Sequence, residues 1–599
     1  MKKRVADIIV DILEQNEIDV CFSVVGGGAM HLNNAFKLGK DRIATIYNHH
    51  EQACTMAAEG YARLTGKMAS VCVTAGPGGT NAINGVQGAW VDSLPMIVIS
   101  GFPRFETTAA STALDIRTRG VQENDIVAQV KSITKYAVLV TDPLAIKAEL
   151  QKAITLAMSG RRGPVWISVP LDVQSALVEE EELYKYEPCE HSLSFNYDQL
   201  QQLEEMLQAA ERPCILTGSG IRTGNAHALY CRFVNNVQIP IVGGALQADI
   251  NANGDKYYYG MSGNIGPRCG NFILQSADLI LVLGNSLGTC QTGFYVEGFA
   301  PNAKIVMVDA EEDEAKKPGL HIDMFIHADI KNFFEACLDF NLKTRASNAW
   351  FNHCDELYKR LPRYEIIARH ASEFKTNDRV PIQLFWKEFL EQVPSKTVIA
   401  LGNSSCVRGL LQVGIDDPEQ RVLVNYNCGS MGDDLPEAIG ACMGTDQAVY
   451  CVTGDGSIML NIQELQTIRH HDFPIKIILC NNKGYGAIRA SCKNYFDGMY
   501  NGCDAESGLS FPAFDKVADA FGIPYRRSSC IGELHQGLDW LIKQKGPCIL
   551  EVDQRIDDFN EPRVVSCLDS EGRFVTPAIH EMTPLLPRED IQKYLLEKV

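Results

Sequence analysis

The stretch from Ala448 to Asn482 constrains the fold most tightly. Two apolar runs of strand length, 448–452 and 475–480, flank a segment in which Ile462, Leu465 and Ile468 recur at helical spacing. Strand, helix and strand in that order read as a βαβ unit, and ligands of open α/β sheets bind where such strands end. At that edge stand Gly454, Asp455, Gly456 and Ser457 after the first strand, and Asn481 and Asn482 after the second. The glycines let backbone approach a phosphate closely. Asp455 would repel that phosphate unless a cation lay between them, and Asp455 and Asn482 both offer oxygen ligands. Mg²⁺ takes octahedral oxygen coordination from one or two protein groups plus phosphate and water. The stretch therefore reads as a Mg²⁺–diphosphate site. The alternative for a lone Gly-Asp-Gly is an ordinary turn tightened by glycine.

The same alternation runs through the chain and predicts an α/β protein of three doubly wound parallel-sheet domains. The first spans 1–185, with strands at 20–25, 43–47, 68–74 and 96–100 and helices over 51–65 and 81–91. A charged linker, 186–195, leads to a second unit at 196–345, with strands at 214–217, 239–242, 279–283 and 305–308. A charged helical bridge, 346–380, precedes the third domain at 381–565, and 566–599 is a C-terminal tail. The 599 residues suit about three to four domains. With 46% hydrophobic residues the chain can fill substantial cores. A net charge of −19 without a long basic run argues against nucleic acid or an anionic membrane as partner. The 20 cysteines form no CxxC pair and read as reduced core thiols. Acidic residues directly after Met1-Lys2-Lys3-Arg4 break any signal-peptide core, and no apolar run reaches membrane-spanning length; the expected location is the cytoplasm.

Two further stretches carry chemistry. His49-His50-Glu51-Gln52 follows a strand and opens a helix, where a carboxylate serves either the helix dipole or acid–base catalysis. Thr74 to Asn81, TAGPGGTN, is a turn at a strand end leading into a helix. It lacks the Lys-Ser/Thr ending of a nucleotide-hydrolysing P-loop.

Taken in chain order, VVGGGAMH, NHHEQACTMAAEGYARLTGK, TAGPGGTN, SGRRGPVWISVPLDV and the GDG–NN unit resemble the acetolactate synthase branch of the thiamine-diphosphate (ThDP) enzymes. The resemblance implies a pyrimidine-binding first domain, a Rossmann-like central domain and a diphosphate-binding third domain. It implies that Glu51 is the catalytic carboxylate contacting N1′ of the cofactor. Val25, Gly26, Thr74, Pro77 and Asn81 are implied to bind the cofactor from one side. From the other come Gly402, Asn403, Ser404, Gly429, Met431 (the wedge under the thiazolium ring), Gly454, Asp455, Gly456, Ser457, Asn482, Gly484, Tyr485 and Gly486. Asp455, Asn482 and the carbonyl of Gly484 are the implied Mg²⁺ ligands. The substrate pocket is implied to hold Gly27, Phe102, Gln122, Ala487 and Ser491. The donor is pyruvate or a close 2-oxo acid, and the active unit is a homodimer or homotetramer.

The departures from the family pattern carry information of their own. The usual Gln-His pair of the diphosphate turn is Asn403-Ser404 here. Ala487 and Ser491 stand where acetolactate synthases carry methionine and tryptophan, and Phe102 where a glutamine is usual. The segment from Tyr485 to Phe496 is more similar to relatives in surface-polysaccharide pathways, some of which transfer a two-carbon unit to the ketone of a nucleotide-linked deoxysugar. Arg489 is then a candidate for an anionic group, or for a salt bridge on the diphosphate side. FAD is left open. Gly218, Gly220, Leu246-Gln247, Gly260-Met261 and Asp309 keep the type of FAD-contact positions, whereas Asn285-Ser286-Leu287-Gly288 and Ser262 do not. Three readings remain: a carboligase delivering to a second 2-oxo acid or a larger keto compound, a 2-oxo acid decarboxylase or lyase, and a non-catalytic cofactor-binding subunit.

Overall fold

A computed structural model of the chain describes residues 2–188, 195–245, 248–559, 561–568 and 570–596. Most of the expected linker, and the Leu246-Gln247 pair, lie outside the described residues.

Three six-stranded parallel sheets organise the molecule. The first contains β1 (Val20–Ser23), β2 (Ala44–Tyr47), β3 (Ala69–Val73), β4 (Met96–Phe102), β5 (Tyr136–Leu139) and β6 (Pro164–Pro170), in the order β2-β1-β3-β4-β6-β5. The central sheet contains β7 (Pro213–Thr217), β8 (Ile241–Gly243), β9 (Tyr258–Met261), β10 (Leu279–Leu283), β11 (Lys304–Asp309) and β12 (Met324–His327), ordered β9-β8-β7-β10-β11-β12. The third contains β13 (Val398–Leu401), β14 (Arg421–Val424), β15 (Val449–Gly454), β16 (Ile475–Asn481), β17 (Tyr525–Ser528) and β18 (Cys548–Asp553), ordered β14-β13-β15-β16-β18-β17. The first and third sheets thus share one topology, and the central sheet has the dinucleotide-fold order. In each, the strand order reverses beside the sheet's first strand, which opens a crevice at the C-terminal edge. β15 and β16 pair in parallel from Val449–Ile475 to Gly454–Cys480, so the GDG turn and the Asn481-Asn482 pair emerge side by side.

Element boundaries moved where local chemistry required it. The helix expected from residue 81 begins at Pro77, because proline at the first helical position has its φ pre-set and leaves no donor orphaned. β1 stops at Ser23, where the chain turns into the glycine run. β8 starts only at Ile241, after Pro240, which has no N–H to give a ladder.

The first and third sheets share one core. Helix α1 (Glu51–Thr65), beside α2 (Pro77–Val91), packs against α4 (Asp434–Cys442), which lies between α3 (Ser405–Val413) and α5 (Glu464–His471) in sequence. The α1–α4 approach is very close. A Cβ on Gly60 would lie 2.2 Å from the Glu437 carbonyl oxygen, and one on Gly440 1.8 Å from that of Ala57. Only glycine fits at such a crossing. Every described cysteine is free, and most lie in the cores as expected; Cys231 and Cys567 are exposed instead, and Cys290, Cys428, Cys442 and Cys530 are partly buried. Among the described residues no helix is long and apolar enough to cross a membrane.

Candidate active site

On the first sheet, the crevice between the ends of β1 and β3 gathers the expected pyrimidine-side residues. Gly26 packs on Thr74, whose Oγ1 accepts from the Gly28 amide at 3.1 Å; a Cβ on Gly26 would sit 2.5 Å from that of Thr74. Glu51 is the first residue of α1, yet it does not cap the helix. His50 does so, its Nδ1 accepting from the Gln52 amide at 3.1 Å. The Glu51 carboxylate is 9% exposed and points instead to α2, where Asn81 Nδ2 donates to Oε2 at 3.0 Å. Pro77 starts that helix, and Val25 is exposed at the rim. Gly27 and Gln122 line a neighbouring cleft with Pro103, Arg104 and Arg119. Phe102 lies at the end of β4, 5% exposed, and Pro103 forms the cleft wall there.

The loop that presents Glu51 is held by the third sheet. Glu464 on α5 accepts from the His49 amide and from Asn48 Nδ2, each at 2.9 Å.

On the third sheet the crevice between β13 and β15 collects the diphosphate-side residues. Asn403 Nδ2 donates to the Ser430 carbonyl at 2.6 Å and ties the 402–405 turn to the 428–432 turn that carries Met431. Ser404 has φ +65°, a conformation costly for a residue with a Cβ and characteristic of functional turns. Gly429 (φ +66°) and Gly432 (φ +83°) bracket Met431. The Gly432 amide donates to Ser457 Oγ at 2.8 Å, and Ser457 donates to buried Asp434 at 2.6 Å. Asp434 also accepts from Thr453, and so stitches this turn to the strand that delivers Asp455. A Cβ on Gly454 would meet nothing within 4 Å, which leaves that side of the turn open to a ligand.

Asp455 is 3% exposed, and burial pushes its carboxyl up to about 6 although it accepts from the Gly484 amide at 3.0 Å. The Oδ1 of Asn482 is buried without a hydrogen-bond partner. Tyr485 covers Gly456, and Gly484 takes φ +149° beside the Cys503 carbonyl. A buried carboxylate, a partnerless amide oxygen and a glycine turn are what a hard cation with its phosphate completes. Among the described residues no three His, Cys, Asp or Glu side chains gather as a metal site.

Helix α6 (Gly486–Tyr495) follows, and Ala487 and Ser491 share one of its faces, one turn apart. The Ser491 hydroxyl donates to the Ala487 carbonyl at 3.1 Å, so it is occupied by its own helix. Arg489 is not directed at a substrate. It is 3% exposed and donates to the carbonyls of Asn482 (2.9 Å), Lys483 (3.3 Å) and Ile556 (2.7 Å), fastening the loop that carries the expected metal ligands.

At the edge of the central sheet, Gly218 and Gly220 pack directly on Gly284, and Gly220, Gly284 and Asp309 border a cleft of about 110 Å³ that Arg161 and Arg162 of the first domain enter. Burial raises the Asp309 carboxyl to about 6. Arg161 is engaged by Glu311 (2.6 Å) and Glu314 (2.5 Å). Further along this edge Ser262 and Gln291 close on each other: Gln291 Nε2 donates to Ser262 Oγ, Ser262 donates to the Gly243 carbonyl, and Gln291 Oε1 accepts from the Ala245 amide. At Ser262, which departs from the family's FAD-contact pattern, these side chains are satisfied by the protein itself.

Sequence reasoning named most of the residues at these crevices. It passed over Asp434, whose partners Thr453 and Ser457 lie 19 and 23 positions on, and Glu464, which holds Asn48 across 416; of Arg489 it foresaw an anionic group or a salt bridge, and not the carbonyls that it binds. The acidic run Asp433-Asp434 hinted at the first, and nothing local marks the second.

Comparison with known proteins gives a consistent result. Three family models match: the N-terminal TPP binding domain of thiamine pyrophosphate enzymes over residues 3–130, their central domain over 200–337 and their C-terminal TPP binding domain over 405–552. Acetolactate synthase isozyme 2 large subunit of Escherichia coli (strain K12) is 28% identical, over 91% of this chain and 95% of its own length. Acetolactate synthase 3, chloroplastic, of Brassica napus is 30% identical over 91% and 83%, and acetolactate synthase 2, chloroplastic, of Nicotiana tabacum 31% over 91% and 81%. The crevices, their glycine turns and the full-length similarity agree: the chain belongs to the thiamine-diphosphate-dependent enzymes of the acetolactate synthase type.

Proposed function

We propose that the protein is a ThDP- and Mg²⁺-dependent carboligase that takes a two-carbon unit from pyruvate or a close 2-oxo acid and delivers it to a carbonyl acceptor larger or more polar than a second pyruvate, such as a nucleotide-linked keto sugar. One feature carries the acceptor reading. Ala487 and Ser491 put two small side chains on one face of α6, next to the glycine turn expected to meet the cofactor, at positions where the family pattern has methionine and tryptophan.

ThDP when bound supplies the carbanion-stabilising chemistry; the protein binds, orients and moves protons. Asp455, Asn482 and the Gly484 carbonyl would hold Mg²⁺, which would offset the charge of the diphosphate. Gly402, Asn403, Ser404, Gly456, Ser457, Tyr485 and Gly486 cradle the phosphates, and Met431, between two left-handed glycines, supports the ring. Glu51, oriented by Asn81, exchanges a proton with N1′ of the aminopyrimidine. Its nearly buried position favours that exchange, because water competes little for the carboxylate. Val25, Gly26, Thr74 and Pro77 complete that side, and Gly27, Gln122 and Phe102 form or underlie the donor cleft. The exposed apolar residues Val25, Tyr47, Leu460 and Ile488 beside the two half-sites support a homodimer as the working unit.

Incubation with pyruvate alone tests the acceptor reading. Slow acetolactate formation is expected. Rapid formation saturating at low-millimolar pyruvate refutes it, and free acetaldehyde formed as fast with an acceptor as without one would make the protein a decarboxylase.

A further inference from the structure

The cleft that holds Gly27 and Gln122 has a volume of about 490 Å³ and lies at the C-terminal edge of the first sheet. Its two ends differ. Gly28 and Ala75 form a buried end beside the turns after β1 and β3, and Arg104 and Arg119 form an exposed end. Among the described residues these arginines are the only charged side chains that line it, in a chain of net charge −19. Arg104 is matched by Glu106 at 2.8 Å. Arg119 is bonded to neutral groups: its Nη1 donates to the Glu106 carbonyl at 2.7 Å and to the Ser111 hydroxyl at 3.4 Å. Other carboxylates bonded to this segment are engaged by its backbone. Asp172 accepts from the Phe105 amide at 3.0 Å. Glu123 accepts from the amides of Ala109 (2.6 Å), Ala110 (3.3 Å), Arg119 (2.9 Å) and Gly120 (3.0 Å).

We infer that Arg119, with Arg104 beside it, recognises the diphosphate of a nucleotide-linked acceptor and so sets the acceptor specificity of the site, an inference that rests on the carboligase reading above. Three observations carry it. First, the cleft is of the size that takes a drug-sized ligand, more than a three-carbon acid fills. A ligand whose carbonyl and anionic group stand several bonds apart suits a buried neutral end and an exposed cationic one. Second, the cationic end is specific in chemistry. Guanidinium forks match phosphate oxygens in pairs, and a local cation outweighs distant acids that solvent screens. Third, the backbone that presents Arg119 is built for position. Glu123 gathers the amides on both sides of the turn, and Gln122 takes φ +59°, uncommon for a residue with a Cβ. The Gln122 carbonyl oxygen would lie 2.8 Å from a Cβ on Gly76, so the turn rests directly on the crevice of the candidate active site. Residues held in such conformations by their surroundings cluster at ligand sites.

The test compares two acceptors, a nucleotide-linked 4-keto-6-deoxysugar and the methyl glycoside of the same keto sugar, which lacks the diphosphate. Full-length wild type, Arg119→Gln, Arg119→Lys and Arg104→Gln are assayed with Mg²⁺, ThDP and pyruvate, after melting curves have established folding. Loss of a charge-assisted contact in Arg119→Gln should raise KM for the nucleotide-linked acceptor about 10- to 100-fold. Its kcat, the KM for pyruvate and the KM for the methyl glycoside should each stay within about threefold of wild type. Arg119→Lys should fall between wild type and Arg119→Gln because it keeps the charge and loses the fork. Arg104→Gln should raise the same KM less than Arg119→Gln, since Glu106 already balances Arg104. An unchanged KM for the nucleotide-linked acceptor in folded Arg119→Gln overturns the assignment. So does an equal rise for both acceptors, which marks a structural role, or a rise confined to pyruvate, which gives Arg119 to the donor's carboxylate. If Arg119→Gln fails to fold, Arg119→Lys decides by the same split between acceptors. Wild type that consumes pyruvate and transfers to neither acceptor overturns the carboligase reading itself.

Discussion

Replacing Glu51 by glutamine isolates the proton-transfer role from binding and from stability. The carboxylate is almost buried and its one side-chain hydrogen bond comes from Asn81 at 3.0 Å. Glutamine has the same shape, and its Oε1 accepts from Asn81 in the same way, while His50 still caps α1. Folding stability should therefore move by less than about 1 kcal/mol. ThDP affinity should also stay within a few-fold, because the diphosphate and metal contacts lie on the third sheet. What glutamine lacks is a proton to exchange with N1′. General acid–base contributions of about 10²–10⁴-fold correspond to about 3–5 kcal/mol of barrier. Deuterium exchange at the cofactor C2 position, followed by NMR in rapidly quenched samples, reads that step before any substrate is involved. Exchange slowed about 10²-fold or more with ThDP still bound is expected. Exchange within about threefold of wild type would remove Glu51 from catalysis and leave its burial beside Asn81 as a structural arrangement.

Asp455→Ala should abolish Mg²⁺-dependent ThDP retention while leaving the melting temperature of the cofactor-free protein unchanged or raised, since a buried carboxylate held at a pKa of about 6 costs stability when ionised; calorimetry and melting curves check both. Arg489→Gln should weaken ThDP binding without contacting it, because the carbonyls of Asn482, Lys483 and Ile556 lose their common donor; equal affinity in wild type and variant refutes the fastening role. Gly440→Val should lower the melting transition by several degrees or prevent folding, as overpacking typically costs about 1–3 kcal/mol and the Ala57 carbonyl leaves no room. Ser491→Trp should narrow the acceptor range and leave CO₂ release from pyruvate largely intact, as product analysis with a small and a bulky acceptor will show.

The fold was legible because each sheet announces itself in short apolar runs that end in glycine turns. The two strands of the GDG–NN unit came within two residues of their observed ends for that reason, and α1 was placed over 51–65 as found. The placement of the turns was legible too, since the glycines, the carboxylate and the amide stand at the ends of two strands that pair side by side. What the residues did not disclose is reciprocity over long distances. Glu464 holds Asn48 across 416 positions, and Asn425 donates to Glu59 across 366. No periodicity encodes such pairs. Arg489 stayed open between an anionic group and a diphosphate-side salt bridge because nothing local reveals the carbonyls of Asn482, Lys483 and Ile556 that it binds. The capping question at Glu51 was undecidable locally, since His50 and Glu51 both suit a helix start, and only the position of Asn81 separates them.

The central claim, transfer of a two-carbon unit to an acceptor beyond pyruvate, is tested most directly by ¹³C NMR of the protein with Mg²⁺, ThDP and [2,3-¹³C₂]pyruvate, with and without a nucleotide-linked 4-keto-6-deoxysugar. The account predicts that the sugar accelerates pyruvate consumption and that an intact ¹³C–¹³C pair appears bonded to the former ketone carbon. Labelled acetolactate formed at the same rate in both samples, with no label on the sugar, would contradict it.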